Sequence, residues 1–247
     1  NTQRDDAPAA GSDIYKINLE SREKVRLTHQ EWTPNTGAGN WSSDPLEADE
    51  SGQNYPGYGV FNLGPTPLPG GRVMFTSSRS TLVPNKGFTF PNLQLYVMDA
   101  DGENVRRVGH MSLGSTLHPK ILHDGRVMFS SYESQGLRDR RNWGLWSIYP
   151  DGRHWNPLMS SFEPASSFHF AAQLSNGDIA VTDYYNANNN GFGTLIAFPS
   201  RPPNASQPPF GSPDPEDSSN PEIQHGWYSN GKKLYNEYAF SPQGLYG

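Results

Sequence analysis

The chain contains no cysteine. That absence removes a disulfide framework, a thiolate metal site and covalent attachment of a c-type haem, which needs Cys-x-x-Cys-His. No apolar run is long enough for a transmembrane helix, so no membrane insertion is expected. Charge is scarce, at 18% against about a quarter in an ordinary soluble domain, and it sums to −6. Without a basic excess a general nucleic-acid role is excluded, because phosphate contacts need a positive face. The local run Arg138, Arg140 and Arg141 reads as a solvated loop between strands. Apolar residues are also thin, at 34%, so the aromatic side chains (12%) must supply much of any core.

What the chain does have is turn chemistry and a repeat. Its 25 glycines and 22 prolines mark frequent reversals. Gly71-Arg72-Val73-Met74-Phe75 returns unchanged as Gly125-Arg126-Val127-Met128-Phe129, 54 residues later, and a degraded third copy begins Gly177-Asp178-Ile179-Ala180-Val181. A period near 50 built on a turn glycine and a β-prone run is the mark of a propeller or similar array. A second ladder supports it. Leu95 to Gly102, followed by Val105 to Val108, matches Leu145 to Gly152, and Gly102 and Gly152 lie 50 residues apart. Asp-Gly between β-runs predicts a hairpin of type I′, with positive φ at both central residues. Asp13 to Leu19 with Lys24 to Thr28 reads as the same outer hairpin in another repeat.

The expected fold is therefore all-β: a β-propeller of four-stranded blades, six to eight when complete, of which this chain covers about three to four. In one blade an inner strand near Lys120-Ile121-Leu122 turns at Asp124-Gly125 into Arg126 to Ser131, and a longer loop leads to an outer hairpin at Leu145 to Leu158. Residues 64–108 and 170–199 follow the same plan. Residues 1–247 are taken as one propeller domain, with 199–220 a long Pro/Ser/Asp-rich surface loop that has little to bury. Three blades and an extra hairpin do not close a ring. Either a longer polypeptide or another chain supplies further blades, or residues 30–60 and 200–247 hold strands that the pattern does not reveal; the first is favoured. The loop composition, rich in Asn, Ser, Gly and Pro, together with the absence of an initiator Met, suits a periplasmic or extracellular protein.

The run Leu68 to Arg79, the run Tyr96 to Gly102 and His118-Pro119-Lys120-Ile121-Leu122-His123-Asp124-Gly125-Arg126-Val127 resemble the TolB-like propeller unit. More narrowly they resemble the middle domain of the hydrazine synthase alpha subunit family, over about residues 60–200. The resemblance implies a secreted, bladed all-β domain. It does not carry hydrazine synthesis, because the haem-binding parts of that synthase are absent from a chain without cysteine, and fold alone does not assign function.

Ligand sites in propellers gather where inner strands and their entry loops meet the axis. His118 enters one inner strand and His169 the next, displaced by one position relative to Gly125 and Gly177. With His225 as third ligand, or His110 or His123 in its place, they form a candidate zinc set with an open position. Their spacing matches no recognised metal signature, and hydrogen-bonding histidines at strand ends are the simpler reading. The segment Asp183 to Gly193, with four asparagines and Tyr184-Tyr185, suits a carbohydrate or equally a self-satisfied loop.

The same residues assemble into a polysaccharide lyase acting on uronic-acid linkages, an activity that some TolB-like propellers have. His118 or His169 would serve as base, Tyr184 or Tyr185 as base or acid, and Arg79, Arg138 or Arg201 as carboxylate neutraliser. A binding module of a larger exported assembly is the first expectation, the lyase the second, and a purely structural component the third. No cofactor is expected beyond that zinc. Glu133 reads as a surface carboxylate. Asp99 to Asn104 lacks the twelfth-position Glu of a calcium loop, Gly191-Phe192-Gly193 lacks the rest of a phosphate loop, and no Gly-x-Ser-x-Gly elbow occurs.

Overall fold

A computed structural model describes residues 12–30, 60–79, 92–109, 114–132, 143–159, 167–184, 194–198, 227–229, 232–235 and 238–239. Among them there is no α-helix. The strands are β1 (Tyr15–Ile17), β2 (Lys24–Arg26), β3 (Asn62–Leu68), β4 (Arg72–Ser77), β5 (Gln94–Asp99), β6 (Arg106–Arg107), β7 (Thr116–Ile121) and β8 (Val127–Tyr132). They continue as β9 (Trp143–Ile148), β10 (Asn156–Met159), β11 (Ser167–Gln173), β12 (Ile179–Tyr184), β13 (Thr194–Phe198), β14 (Trp227–Ser229), β15 (Lys232–Tyr235) and β16 (Tyr238–Ala239). The all-β expectation holds.

The chain divides into two compact units, Asn1–Ile121 with Ile148–Trp155, and Leu122–Ser147 with Asn156–Gly247. In the first, β3-β4-β5-β6 form one antiparallel sheet, β1 and β2 form a hairpin, and β7 packs beside β3. Its core joins Ile14 and Leu27 from the hairpin segment to Phe75, Tyr96 and Met98 from the sheet. Strand β5 is covered on both faces and therefore reads as a continuous apolar run rather than an alternation. In the second unit β12 pairs with β11 and β13, β13 with β16, and β9 with β10, around Leu122, Met128, Leu145, Phe168, Ile179 and Val181. Strands β14 and β15 form a hairpin of their own.

Three features recur at the repeat's period. The first is the hairpin turn. Gly102 N donates to Asp99 O and Asp99 N to Glu103 O, and the same pair of bonds closes the turns at Gly125, Gly152 and Gly177. Only the glycine has positive φ in each, from 84° to 96°. This corrects the type I′ expectation: the turn is type I followed by a glycine bulge, so the residue before Gly stays right-handed. That residue is Asp or Asn because its side chain accepts the amide two positions on, in Asp101–Glu103, Asp124–Arg126, Asp151–Arg153 and Asn176–Asp178 at 3.0–3.1 Å.

The second feature is a bulge in the first strand of each repeat, seven residues before the turn glycine. Gly64, His118 and Phe170 all take the left-handed conformation, with φ of 56°, 57° and 54°. The pairing register shifts there in β3, between Leu63 and Thr66, and in β11, between His169 and Ala172. The third is the junction between repeats. Ser12 bridges Phe61 in parallel, Trp143 bridges Ser167 in parallel, and Thr116 N donates to Leu93 O at 2.8 Å. Each junction ties the start of an outer strand to the start of the next repeat's first strand.

The inner strand expected near Lys120 begins four residues earlier, at Thr116. The described residues between 200 and 247, a range from which the sequence pattern drew no strand, form three. The cause is a fourth turn signal, Asn230-Gly231, 54 residues after Gly177, whose following Lys232-Lys233-Leu234-Tyr235 has lost the apolar pattern of Arg-Val-Met-Phe. The 199–220 segment lies outside the described residues.

Candidate functional site

The densest polar constellation lies in the first unit, where the hairpin segment meets β3 and β4. Asp13 is 1% exposed. Its Oδ1 accepts from Thr28 Oγ1 at 2.7 Å, Gln30 N at 3.0 Å and Asn62 Nδ2 at 3.3 Å, while Oδ2 accepts Arg26 Nε at 3.0 Å and also Arg26 Nη2. The carboxylate is thus fully engaged by protein donors, as a buried charge must be. Asn62 passes the network on. Its Nδ2 also donates to Ser12 O, and its Oδ1 accepts Ser77 Oγ at 2.9 Å and Arg79 Nη2 at 3.0 Å.

Arg79, one of the candidate neutralisers, ends this chain. Its Nε donates to Ser77 Oγ at 3.1 Å, and its Cζ lies 5.2 Å from the Phe75 ring centroid and 5.4 Å from that of Tyr96. Those rings are themselves 5.9 Å apart, so the planar guanidinium rests on an aromatic floor. Burial lowers the Arg79 pKa, opposed by Tyr96 and Asp13. Burial raises that of Tyr96, opposed by Arg79 and Arg107, which keeps the phenol protonated at neutral pH. Sequence reading missed Asp13, Asn62 and Ser77 because the partners that join them lie 13 to 50 positions away. One signal was available: eight residues past the turn glycine the repeat carries Arg79, Glu133 and Tyr185, three different chemistries at one register position.

His118 belongs to the first unit and sits on the β7 bulge, its backbone beside the space a Gly64 Cβ would enter. Burial, with a smaller push from Lys120, lowers its pKa to about 4, so the imidazole is neutral at physiological pH. His169 belongs to the second unit and is buried in β11. Its ring lies 4.9 Å from Trp143 and 6.1 Å from Phe170, and Trp143 lies 5.2 Å from Tyr132. Asp183 is buried nearby in sequence register, accepting Ser167 N at 3.3 Å. Tyr184 ends β12 opposite Ser167.

His123 is an exposed turn residue, its amide donating to Gln173 Oε1 at 2.7 Å. Tyr185, Arg201, His225, His110, Arg138, Glu133 and the asparagines after Tyr185 lie outside the described residues. Among the described residues no three His, Asp or Glu side chains gather as a metal set. No described helix is long and apolar enough to cross a membrane.

A second feature is a shallow groove of about 310 Å³ along hairpin β1–β2, lined by Lys16, Ile17, Asn18, Glu23 and Val25. Beside it Tyr15, Leu19 and Val25 are also exposed.

No family model and no curated protein matches the chain. Solved structures similar to it include TolB from Acinetobacter baumannii, at 14% identity and a TM-score of 0.44, over 75% of this chain and 34% of that one. A putative TolB from Agrobacterium tumefaciens matches at 14% and 0.39, over 74% and 59%. Puromycin hydrolase matches at 14% and 0.42, over 78% and 35%. The chain thus spans about a third to three-fifths of the chains it matches.

Proposed function

We propose that this chain is a section of a β-propeller serving as an exported ligand- or partner-binding module, periplasmic or extracellular and related in fold to the hydrazine synthase alpha middle domain. The recurring plan supports the propeller: a shared turn type, a left-handed bulge and a junction return from repeat to repeat. A partner-binding role rests on one observation. Tyr15 and Ile17 of β1 occupy the repeat positions of Tyr96 and Met98 of β5, yet they are 41% and 45% exposed where the latter are 7% and 0%. Strand β5 has β4 along one edge and β6 along the other; among the described residues β1 has only β2.

The free edge of β1 accepts an inner strand of the β4 type, supplied by a further segment of polypeptide. Asn18 N bonds to Glu23 O and Leu27 N to Ile14 O, which places Ile14, Lys16 and Asn18 toward β2 and turns the amides of Tyr15 and Ile17 to the open side. Strand addition would satisfy both amides and cover both side chains. The test uses an eight-residue peptide with the sequence Gly71 to Ser78 and a scrambled control, read by hydrogen exchange at single-amide resolution. Protection of Tyr15 and Ile17 by the native peptide alone is expected. Equal exchange with and without it overturns the reading.

A further inference from the structure

We propose that Arg79 anchors a binding site for a monocarboxylate ligand. The inference rests on side chains other than those that open β1, so either proposal can fail alone.

A guanidinium has two edges that can grip a planar oxyanion, one formed by Nε with an Nη and one by the two Nη atoms. In Arg79 the first edge is spent inside the protein, on Ser77 Oγ and Asn62 Oδ1. The second edge, Nη1 and the outward hydrogen of Nη2, has no partner among the described residues. Both internal bonds and the Phe75 and Tyr96 rings hold the plane in place, so the free edge is fixed before any ligand arrives. That preorganisation removes much of the side-chain entropy a surface arginine loses on binding.

Charge in the network points the same way. Arg26 and Arg79 bring two positive charges, and Asp13 brings one negative charge. Asp13 makes its ion pair with Arg26 and reaches Arg79 only through Asn62. Among the described residues no carboxylate pairs directly with Arg79, and the groups that touch it (Asn62, Ser77, Tyr96) are neutral. A tetrahedral phosphate would need further donors, and those of Asn62 and Ser77 are already committed. A carboxylate presents two oxygens to two parallel N–H groups and brings a single charge.

The carboxylate can belong to a uronic sugar or to a peptide-like acid, and the experiment separates these sources. Protein labelled with ¹⁵N-arginine is titrated at constant ionic strength with galacturonate, N-acetylglycine, galactose, phosphate and chloride, following the guanidinium resonances of Arg79, assigned by their loss in Arg79→Lys. Expected is a saturable shift at millimolar galacturonate or N-acetylglycine, the tighter of the two naming the source, none with galactose, and at least tenfold weaker response to phosphate and chloride. Arg79→Lys, which keeps the charge and loses the two-pronged edge, should weaken binding at least tenfold. No saturable shift, or an equal response to chloride, overturns the proposal. If the variant does not fold, the Arg79 guanidinium is assigned by through-bond correlation to its own backbone in uniformly labelled protein, and the wild-type titration decides the proposal.

Discussion

Hairpins β1–β2 and β5–β6 occupy the same place in the repeat and end with different surfaces. Both begin at a junction with the following first strand, close through the same kind of backbone pairing and carry Tyr at the same position. Tyr96 and Met98 are core residues; Tyr15 and Ile17 are not. The difference is the neighbour. A β-strand is buried by the strand beside it, so equal sequence patterns acquire unequal burial when, among the described residues, only one of them has an inner partner. Hairpin β1–β2 is seated at its base by Ile14 and Leu27 in the core and by a polar set, Asp13, Asn62 and Ser12, with Lys16 Nζ donating to Ala100 O at 2.6 Å.

Four measurements test the neighbouring strand as the cause of that difference. The largest effect is expected from Asp13→Ala, which strands Arg26 and removes the acceptor shared by Thr28, Gln30 and Asn62; urea unfolding should show a loss of about 4 kcal/mol. A loss under 1 kcal/mol would mean that apolar contacts, not this network, seat the hairpin.

Next come the matched truncations. Met98→Ala should cost about 3 kcal/mol by leaving a cavity, whereas Ile17→Ala should cost less than about 0.5 kcal/mol. Equal costs would show that Ile17 is covered in the protein in solution.

Glycines at equivalent turn positions give a third pair. A Cβ on Gly102 would lie 2.4 Å from Leu27 O at φ of 96°, while one on Gly125 would meet nothing within 4 Å at φ of 84°. Gly125→Ala therefore reports backbone strain alone, about 1 kcal/mol, and Gly102→Ala adds the clash with the segment following β2, about 3 kcal/mol in all. Thermal melts of the two variants separate strain from contact.

The smallest effect concerns pH. The folded state holds His118 near 4, below the ordinary 6.5, so the unfolded chain takes up a proton that the folded chain refuses. Stability is full above about pH 6.5 and declines as pH falls toward 4. His118→Asn keeps a residue tolerant of the left-handed backbone and removes the titration, so the melting temperature should fall less between pH 7 and 5 than in the parent. An unchanged acid limb would place the acid sensitivity elsewhere.

Much of the scaffold could be read from the chain. Gly-Arg-Val-Met-Phe marked β4 and β8, and Asp-Gly marked the outer turns, because a left-handed glycine after an amide-accepting Asp is a local requirement. The bulge was equally regular but hidden, since Gly64, His118 and Phe170 share a conformation and no chemistry. Lys232 and Lys233 concealed the fourth copy for a similar reason: backbone pairing preserved β15 after its apolar signature had gone.

Of the candidate site, only Arg79 was singled out from sequence, and only as a charge. Its role as a fixed, half-occupied fork came from Asn62, Ser77, Phe75 and Tyr96. The β class, the repeat and its turns follow from local sequence, because those depend on residues within a few positions of one another. Only the tertiary structure decided which equivalent strand is buried, how Asp13 is neutralised and which edge of Arg79 is left open. Burial and charge compensation depend on groups brought together from 13 to 50 residues apart, and no local pattern encodes that meeting.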